Sequence, residues 1–180
     1  MRRLFAHFAL ILSVVIIHGV GIAAPEMTLE ERTFLVDAHR RNLGEIELAH
    51  LVSDRTVTSV VKDYAQRVVE DHTTLDREVE RIAHARSIQL SNDISPEAQT
   101  VRDELKRLSG REFDRVYMHR ALQEHRATIE RFDEQARNAR DDAVRDFAHT
   151  ASARLREHLA LAHHFEAAPA VQHTPANSAP

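Results

Sequence analysis

Residues that could bind a metal ion occur where the sequence pattern predicts a hydrophobic core. His72 lies among Val68, Leu75 and Val79, whose spacing predicts one apolar side of a helix. A polar group buried there without a partner costs about 1–3 kcal/mol. A hydrogen-bond partner or a metal ion must therefore satisfy the imidazole of His72.

Three other segments each direct one potential ligand toward the same core. At about 100° per residue, the apolar sides of these segments centre on His125, on His158 and close to Glu45. Helical bundles build metal sites from Glu and His side chains that project inward from facing helices. The sequence therefore predicts a metal site of Glu45, His72, His125 and His158, with neutral imidazoles and one carboxylate as ligands.

Each of these residues also has a structural interpretation. A single histidine in an apolar stripe is more often a core residue that is hydrogen bonded to a neighbour. Glu45 could form an ion pair with Arg154, which lies one turn before His158. Asp71 and Asp76 could orient His72, but as solvated helix charges they need no role, and the sequence favours that second interpretation.

The heights of the four ligands along the bundle are predicted from the helix ends. Counting residues from the predicted helix ends, at ~1.5 Å per residue, places the four ligands over a range of about 13 Å along the bundle. That spread favours two levels, with Glu45 beside His158 and His72 beside His125.

The composition indicates that helices position these residues. Of 180 residues, 43% are hydrophobic and 5% aromatic, with 4 Gly, and the abundance of Ala, Leu, Arg and Glu favours helices over a sheet. Thr28 and Glu31 form a capping-box pattern, and Ser95-Pro96 is typical of a helix start. Long helices are predicted over residues 29–53, 57–86, 112–137 and 140–166, with a short helix from Pro96 to Gly110.

Four long amphipathic helices bury their apolar sides best in a bundle. The long segment between the second and third of them predicts one crossover connection. The predicted fold is therefore all-α, a ferritin-like four-helix bundle with a short extra helix in the crossover.

The two ends of the chain are predicted to lie outside the domain of residues 24–166. Residues 1–23 combine basic Arg2 and Arg3 with an apolar run and small residues near Ala23, the pattern of a secretory signal that is cleaved after Ala23. An uncleaved anchor is the alternative. Residues 167–180 are predicted to be a disordered tail. The expected location is periplasmic or secreted.

Charge and motifs exclude several classes of function. The net charge is −4 with no basic stripe, which argues against nucleic acid as a partner. No segment after the signal is apolar enough to span a membrane, while homo-oligomers and peripheral association with the envelope stay open. The chain has no cysteine, and no hydrolase or phosphate-loop motif gives residue-level support for an enzyme.

Four segments of the chain resemble a bacterial family of exported ferritin-like proteins, domain of unknown function family 4142, some of whose members are labelled outer membrane proteins. These segments are NLGEIELAHL, YAQRVVEDHTTLDREVERIA, LSGREFDRVYMHRALQEHRATIERF and ASARLREHLALA, and the resemblance covers about residues 30–165. The resemblance supports the fold and the choice of residues but implies no substrate. The positions that match the family's marked residues are Glu45, Asp71, His72, Gly110, Phe113, Asp114, His125 and His158.

Two hypotheses of function follow from these observations. In the first, the chain is an exported metal-binding bundle that handles iron or copper redox chemistry, with Fe, Cu, Zn and Mn as the candidate metals. In the second, it is a non-enzymatic structural or stress-related envelope protein, and its buried Glu, His and Arg residues only fix the helix register.

Overall fold

The computed structural model describes residues 26–167 of the chain. The predicted signal peptide and residues 168–180 of the predicted tail lie outside the described residues. Within the described range every regular element is a helix, which confirms the all-α prediction. The helices are α1 Leu29–His50, α2 Val52–Arg55, α3 Ser59–Ala85, α4 Pro96–Leu105, α5 Gly110–Asn138 and α6 Asp142–Ala167.

The predicted helix starts are confirmed at α1 and α4. The Thr28 hydroxyl accepts a hydrogen bond from the backbone N–H of Glu31, and the Glu31 carboxylate accepts one from the backbone N–H of Thr28. The same carboxylate accepts hydrogen bonds from the backbone of Arg140 and Asp141. Glu31 therefore joins the start of α1 to the connection between α5 and α6.

The four long helices form a bundle with one crossover. α1 packs along α3, α5 packs along α6, and α3 also packs on α6. Residues later in α1 pair with residues earlier in α3 and in α5. α1 therefore runs antiparallel to both helices. The crossover, residues 86–109, must therefore return along the bundle, and it carries α4. The cross-helix pairs are His39 with Asp76, Asn42 with His72, Asp37 with Arg131 and Arg41 with Glu124.

A polar layer divides the core of the bundle into two hydrophobic clusters. One cluster includes Phe34, Leu75, Phe132 and Phe147 near one end of the bundle. The other includes residues of α4 and the opposite halves of the four long helices. The buried polar side chains between them are His39, Asn42, His72, Asp76, His125, Thr128 and His158.

Several helix boundaries differ from their prediction, and the largest difference is at the short helix, which ends at Leu105 and not at Gly110, where α5 begins. The first helix ends at His50, and the short α2 follows it. Val57 begins the predicted second helix, yet it lies outside α3, which begins only at Ser59, and it is 66% exposed. No helix of the described range is both long and apolar enough to cross a bilayer.

Gly44 allows α4 to pack closely on α1. A Cβ atom at Gly44 would lie 2.9 Å from the Cβ atom of Ala98. Neither group is the end of a flexible side chain, so a larger residue would push the two helices apart.

The effect of Gly44→Ala on stability should change sign with residue 98. In the natural chain the substitution should lower the free energy of unfolding, because overpacking costs about 1–3 kcal/mol. In an Ala98→Gly background the clash is gone, and the substitution should raise the free energy of unfolding by up to about 1 kcal/mol through helix propensity. Urea unfolding of the four proteins measures both effects. The same sign in both backgrounds would contradict the close approach.

Candidate metal centre

Three of the predicted ligands meet in the polar layer. His72 from α3, His125 from α5 and His158 from α6 are all buried. One ring nitrogen from each lies within 4.8 Å of the other two. The ring centroids are 5.3–5.9 Å apart. The three imidazoles therefore form a single cluster.

Hydrogen bonds outside the cluster fix the tautomers of two of these rings. His125 Nδ1 lies 2.8 Å from the carbonyl oxygen of Ala121, and His158 Nε2 lies 2.9 Å from Asp71 Oδ2. A carbonyl and an ionised carboxylate only accept hydrogen bonds, so both ring nitrogens must be the donors. In the neutral rings the other nitrogens, His125 Nε2 and His158 Nδ1, then carry lone pairs.

A chain of polar side chains orients the third ring. His39 Nδ1 and Asn42 Nδ2 both point at Asp76 Oδ1, at 2.8 and 3.4 Å. The carbonyl oxygen of Asn42 then faces His72 Nδ1, 3.0 Å away, and accepts its hydrogen bond. His72 Nε2 is left with a lone pair, and it is buried without a hydrogen-bond partner.

The lone pairs of His125 and His158 lie close together, which is unfavourable unless a cation lies between them. His125 Nε2 and His158 Nδ1 are only 3.2 Å apart. Two nitrogens that bind the same tetrahedral metal ion at about 2.0–2.1 Å lie roughly 3.3 Å from each other. The observed separation fits that geometry, and the unpartnered Nε2 of His72 supplies a third nitrogen.

The electrostatics of the layer favour the neutral form of His72 and His158. Burial lowers the pKa of His72 well below its ordinary value, and the nearby His125 and His158 lower it further. Burial also lowers the pKa of His158, although the hydrogen bond to Asp71 opposes this shift. Neutral histidine is the form that coordinates a metal ion.

Glu45, the fourth predicted ligand, lies beside the cluster and not within it. It lines, together with His72 and His125, a space of about 20 Å³, enough for about one water molecule. Burial raises the pKa of Glu45, while His125 and Arg41 oppose this shift. The alternative pairing with Arg154 is not what the structure has, because Arg154 pairs with Glu157.

The prediction of two ligand levels is wrong for His158. Its Nδ1 contacts His125 directly, so His72, His125 and His158 share one level. Counting from helix ends assumes that all ends lie in one plane. The four long helices have 22, 27, 29 and 26 residues, so their ends cannot be level at both ends of the bundle, and the counted spread of about 13 Å does not apply.

Sequence reasoning missed the residues that orient the ligands. Asp76 was predicted to be a solvated charge, yet it is 7% exposed and bonds to Asn42. Asp71 orients His158, not His72 as was considered. A signal for Asn42 was present, because it follows the buried Ala38 by four residues and therefore lies on the same side of α1.

Comparison with known proteins gives a family but no activity. The model of the family described as "Domain of unknown function (DUF4142)" matches residues 21–165. The chain belongs to this family, as the sequence segments predicted. No curated protein and no solved structure gives a significant match.

The metal-free protein should lose stability as the pH is lowered from about 7.5 to about 5. The folded-state pKa values of His72 and His158 lie below 6.5, and in the unfolded chain they return to about that value. The unfolded state then binds more protons. Below about pH 6.5 the free energy of unfolding should fall by up to about 1.4 kcal/mol per pH unit for each such histidine.

Thermal melts at constant ionic strength measure this dependence. His72→Leu removes one of the groups, so its melting temperature should depend less on pH than that of the natural chain. A natural chain whose melting temperature is constant across the range would contradict the neutral, buried state of these histidines.

Proposed function

We propose that this member of the family binds one first-row transition-metal ion between His72, His125 and His158. The observation that carries the proposal is the set of outer hydrogen bonds, which leaves one nitrogen lone pair on each ring, in a cluster where one nitrogen of each ring lies within 4.8 Å of the other two. Ligating histidines in metalloproteins typically donate their second N–H group to a carbonyl or a carboxylate. The same pattern occurs here on all three rings.

The ligand set favours zinc, copper or iron over manganese. Imidazole suits Zn, Cu and Fe, whereas Mn prefers carboxylate, carbonyl and water ligands. The predicted carboxylate ligand, Glu45, lies outside the group of converging atoms. The three imidazole nitrogens are therefore the ligands that determine which metal ion is preferred.

The surroundings suit a divalent charge. Asp71 holds a carboxylate against His158 and is itself paired with Arg67, and Glu45 lies on the other side, close to His125. Three protein ligands leave one position of a tetrahedral ion for water or a substrate, and a bound metal ion activates such a water. The space beside His72 and His125 has room for about one water molecule.

We also propose that the chain is exported to the periplasm or beyond. The support is the sequence of residues 1–23, with its basic start and apolar run. Cell fractionation with N-terminal sequencing tests this proposal: a chain that retains Met1 and is found in the cytoplasm would overturn it, whereas a membrane-bound chain that retains Met1 would indicate the uncleaved anchor.

Metal should raise the melting temperature of the metal-free protein, and the three histidines should be required. At a free Zn²⁺ concentration 100 times the dissociation constant, the free energy of unfolding should rise by about 2.7 kcal/mol. His72→Leu keeps roughly the side-chain volume and should abolish this rise while the metal-free variant still folds. His125→Leu and His158→Leu should do the same.

The matched control is His84→Leu, which changes an exposed histidine on the same helix as His72. It should respond to metal as the natural chain does. If all three core variants also keep the full response, the proposal fails and the metal binds elsewhere. If no metal raises the melting temperature of the natural chain, the histidine layer is structural.

The same titration tests the hydrogen bond that orients His158. Asp71→Ala should weaken the metal affinity about 10- to 100-fold although every ligand is intact. Asp71→Asn keeps an acceptor oxygen and should weaken it less. Glu70→Ala removes a neighbouring exposed carboxylate and controls for the lost charge. Equal affinities for all of these proteins would show that the hydrogen bond does not position His158.

A further inference from the structure

The histidine cluster has no direct contact with solvent. His72, His125 and His158 are each at most 3% exposed. Hydrophobic clusters cover the layer toward both ends of the bundle, and a metal ion that crossed them would lose its hydration without gaining a ligand. A metal ion therefore needs a polar route from one side of the bundle.

The side formed by α3 and α6 does not offer such a route. Asp71, which is paired with Arg67, covers His158 there. An ion that arrived at this point would meet the Nε2–H group of His158, because this nitrogen donates its hydrogen bond to Asp71. The lone pair of His158 is on the other nitrogen, Nδ1, which faces His125. The lone pairs must therefore be reached from another direction.

A cavity of about 280 Å³ between α1, α4 and α5 lies in that direction. It reaches the surface, because exposed residues such as Glu97 and Gln123 belong to its lining. Its charged lining residues are Glu45, Glu97, Glu124, Arg41 and Arg120. Both arginines are already engaged in ion pairs, Arg41 with Glu124 and Arg120 with Glu104. Three carboxylates against two engaged arginines make the lining negative, and a negative cleft attracts cations.

Shared residues join this cavity to the histidine cluster. Arg41, Glu45 and Glu124 line the cavity and also line the space of about 20 Å³ beside His72 and His125. They therefore form the wall between the two spaces. The side chains of Arg41 and Glu124 are 33% and 43% exposed, so they can change rotamer without movement of a helix. Beyond the wall, His72 Nε2 is buried without a hydrogen-bond partner.

Glu45 is placed to replace water around an entering ion. The small space has room for about one water molecule, so a hydrated ion must lose most of its water before it enters. This loss costs free energy, and a carboxylate oxygen is a ligand that offsets it for divalent metal ions. Glu45 lies outside the group of converging nitrogens, so it can bind the ion before the histidines do and then release it.

We infer that hydrated divalent metal ions enter the protein through this cavity and that Glu45 binds them in transit to the histidine cluster. At the wall the ion exchanges water for the Glu45 carboxylate. It then exchanges this carboxylate for the nitrogens of the three histidines. The inference rests on the proposed function, and it adds the route of the ion and the residue that sets the rate of binding.

Glu45→Gln removes the charge of the transit ligand while it keeps the side-chain size. Stopped-flow mixing of the metal-free full chain with Zn²⁺ and a fluorescent zinc indicator measures association, and excess chelator added to the loaded protein measures release. The variant should bind Zn²⁺ at least about tenfold more slowly than the natural chain. Release should slow as well, because an ion leaves by the path by which it enters. The dissociation constant should therefore change less than the association rate.

The matched control is Glu70→Gln, which makes the same change of charge at an exposed position of α3 outside the cavity. It should bind and release Zn²⁺ as the natural chain does. Loss of a resident ligand would instead speed release and weaken binding. The inference is overturned if Glu45→Gln releases Zn²⁺ faster than the natural chain, or if it binds Zn²⁺ at the natural rate.

A second pair of variants tests the route without a change of charge. Val101→Phe places a larger side chain in the cavity wall, and it should slow association and release by the same factor, at least about tenfold, because a filled interior leaves no passage. Thr100→Phe adds the same ring at an exposed position of α4 and should change neither rate. Natural rates in a folded Val101→Phe would overturn the route. If this variant does not fold, Glu45→Gln decides alone.

Failure of the route and failure of the metal site give different results. If His72→Leu abolishes Zn²⁺ binding but neither Glu45→Gln nor Val101→Phe changes the rates, the metal site stands and the route is wrong. If the natural chain binds no Zn²⁺, the proposed function fails and the route fails with it.

Discussion

The burial of three imidazoles at one level of the core is the constraint on which this structure depends. Each ring has two nitrogens that must be satisfied away from water. The outer nitrogens are satisfied by the protein: Asn42 from α1, the carbonyl of Ala121 within α5, and Asp71 from α3. The inner nitrogen of each ring has no hydrogen-bond partner outside the three rings. Their lone pairs make the layer unfavourable by itself and suitable for a bound cation.

The same hydrogen bonds fix the helices relative to one another. The two hydrophobic clusters above and below the layer are built from aliphatic and aromatic side chains, and apolar packing of this kind tolerates some shifts and exchanges of volume. The polar layer does not, because a helix that slides by one residue moves its side chains by about 1.5 Å. That shift would break contacts of 2.9–3.0 Å such as those of His72 and His158. The layer thus selects one register.

The sequence predicts which residues face the core but not where they meet. Helical periodicity identifies His72, His125 and His158, since it depends only on the angle around each helix. Their common level depends on the stagger of the helix ends, which no local pattern contains. For the same reason Glu45 is predicted on the correct side of α1 but lies outside the cluster. Asn42 and Asp76 are missed because their burial depends on the pairing of α1 with α3.

The topology also determines where space remains beside the layer. Because α3 and α5 both run antiparallel to α1, the chain must return along the bundle between them, and α4 in that return packs on α1 and α5. Gly44 lets α4 come close to α1, while the side chains further along the two helices leave a cavity next to Glu45. On the opposite side α3 and α6 pack directly together. The crossover that the fold requires therefore also shapes a cavity that adjoins the histidine layer through Glu45.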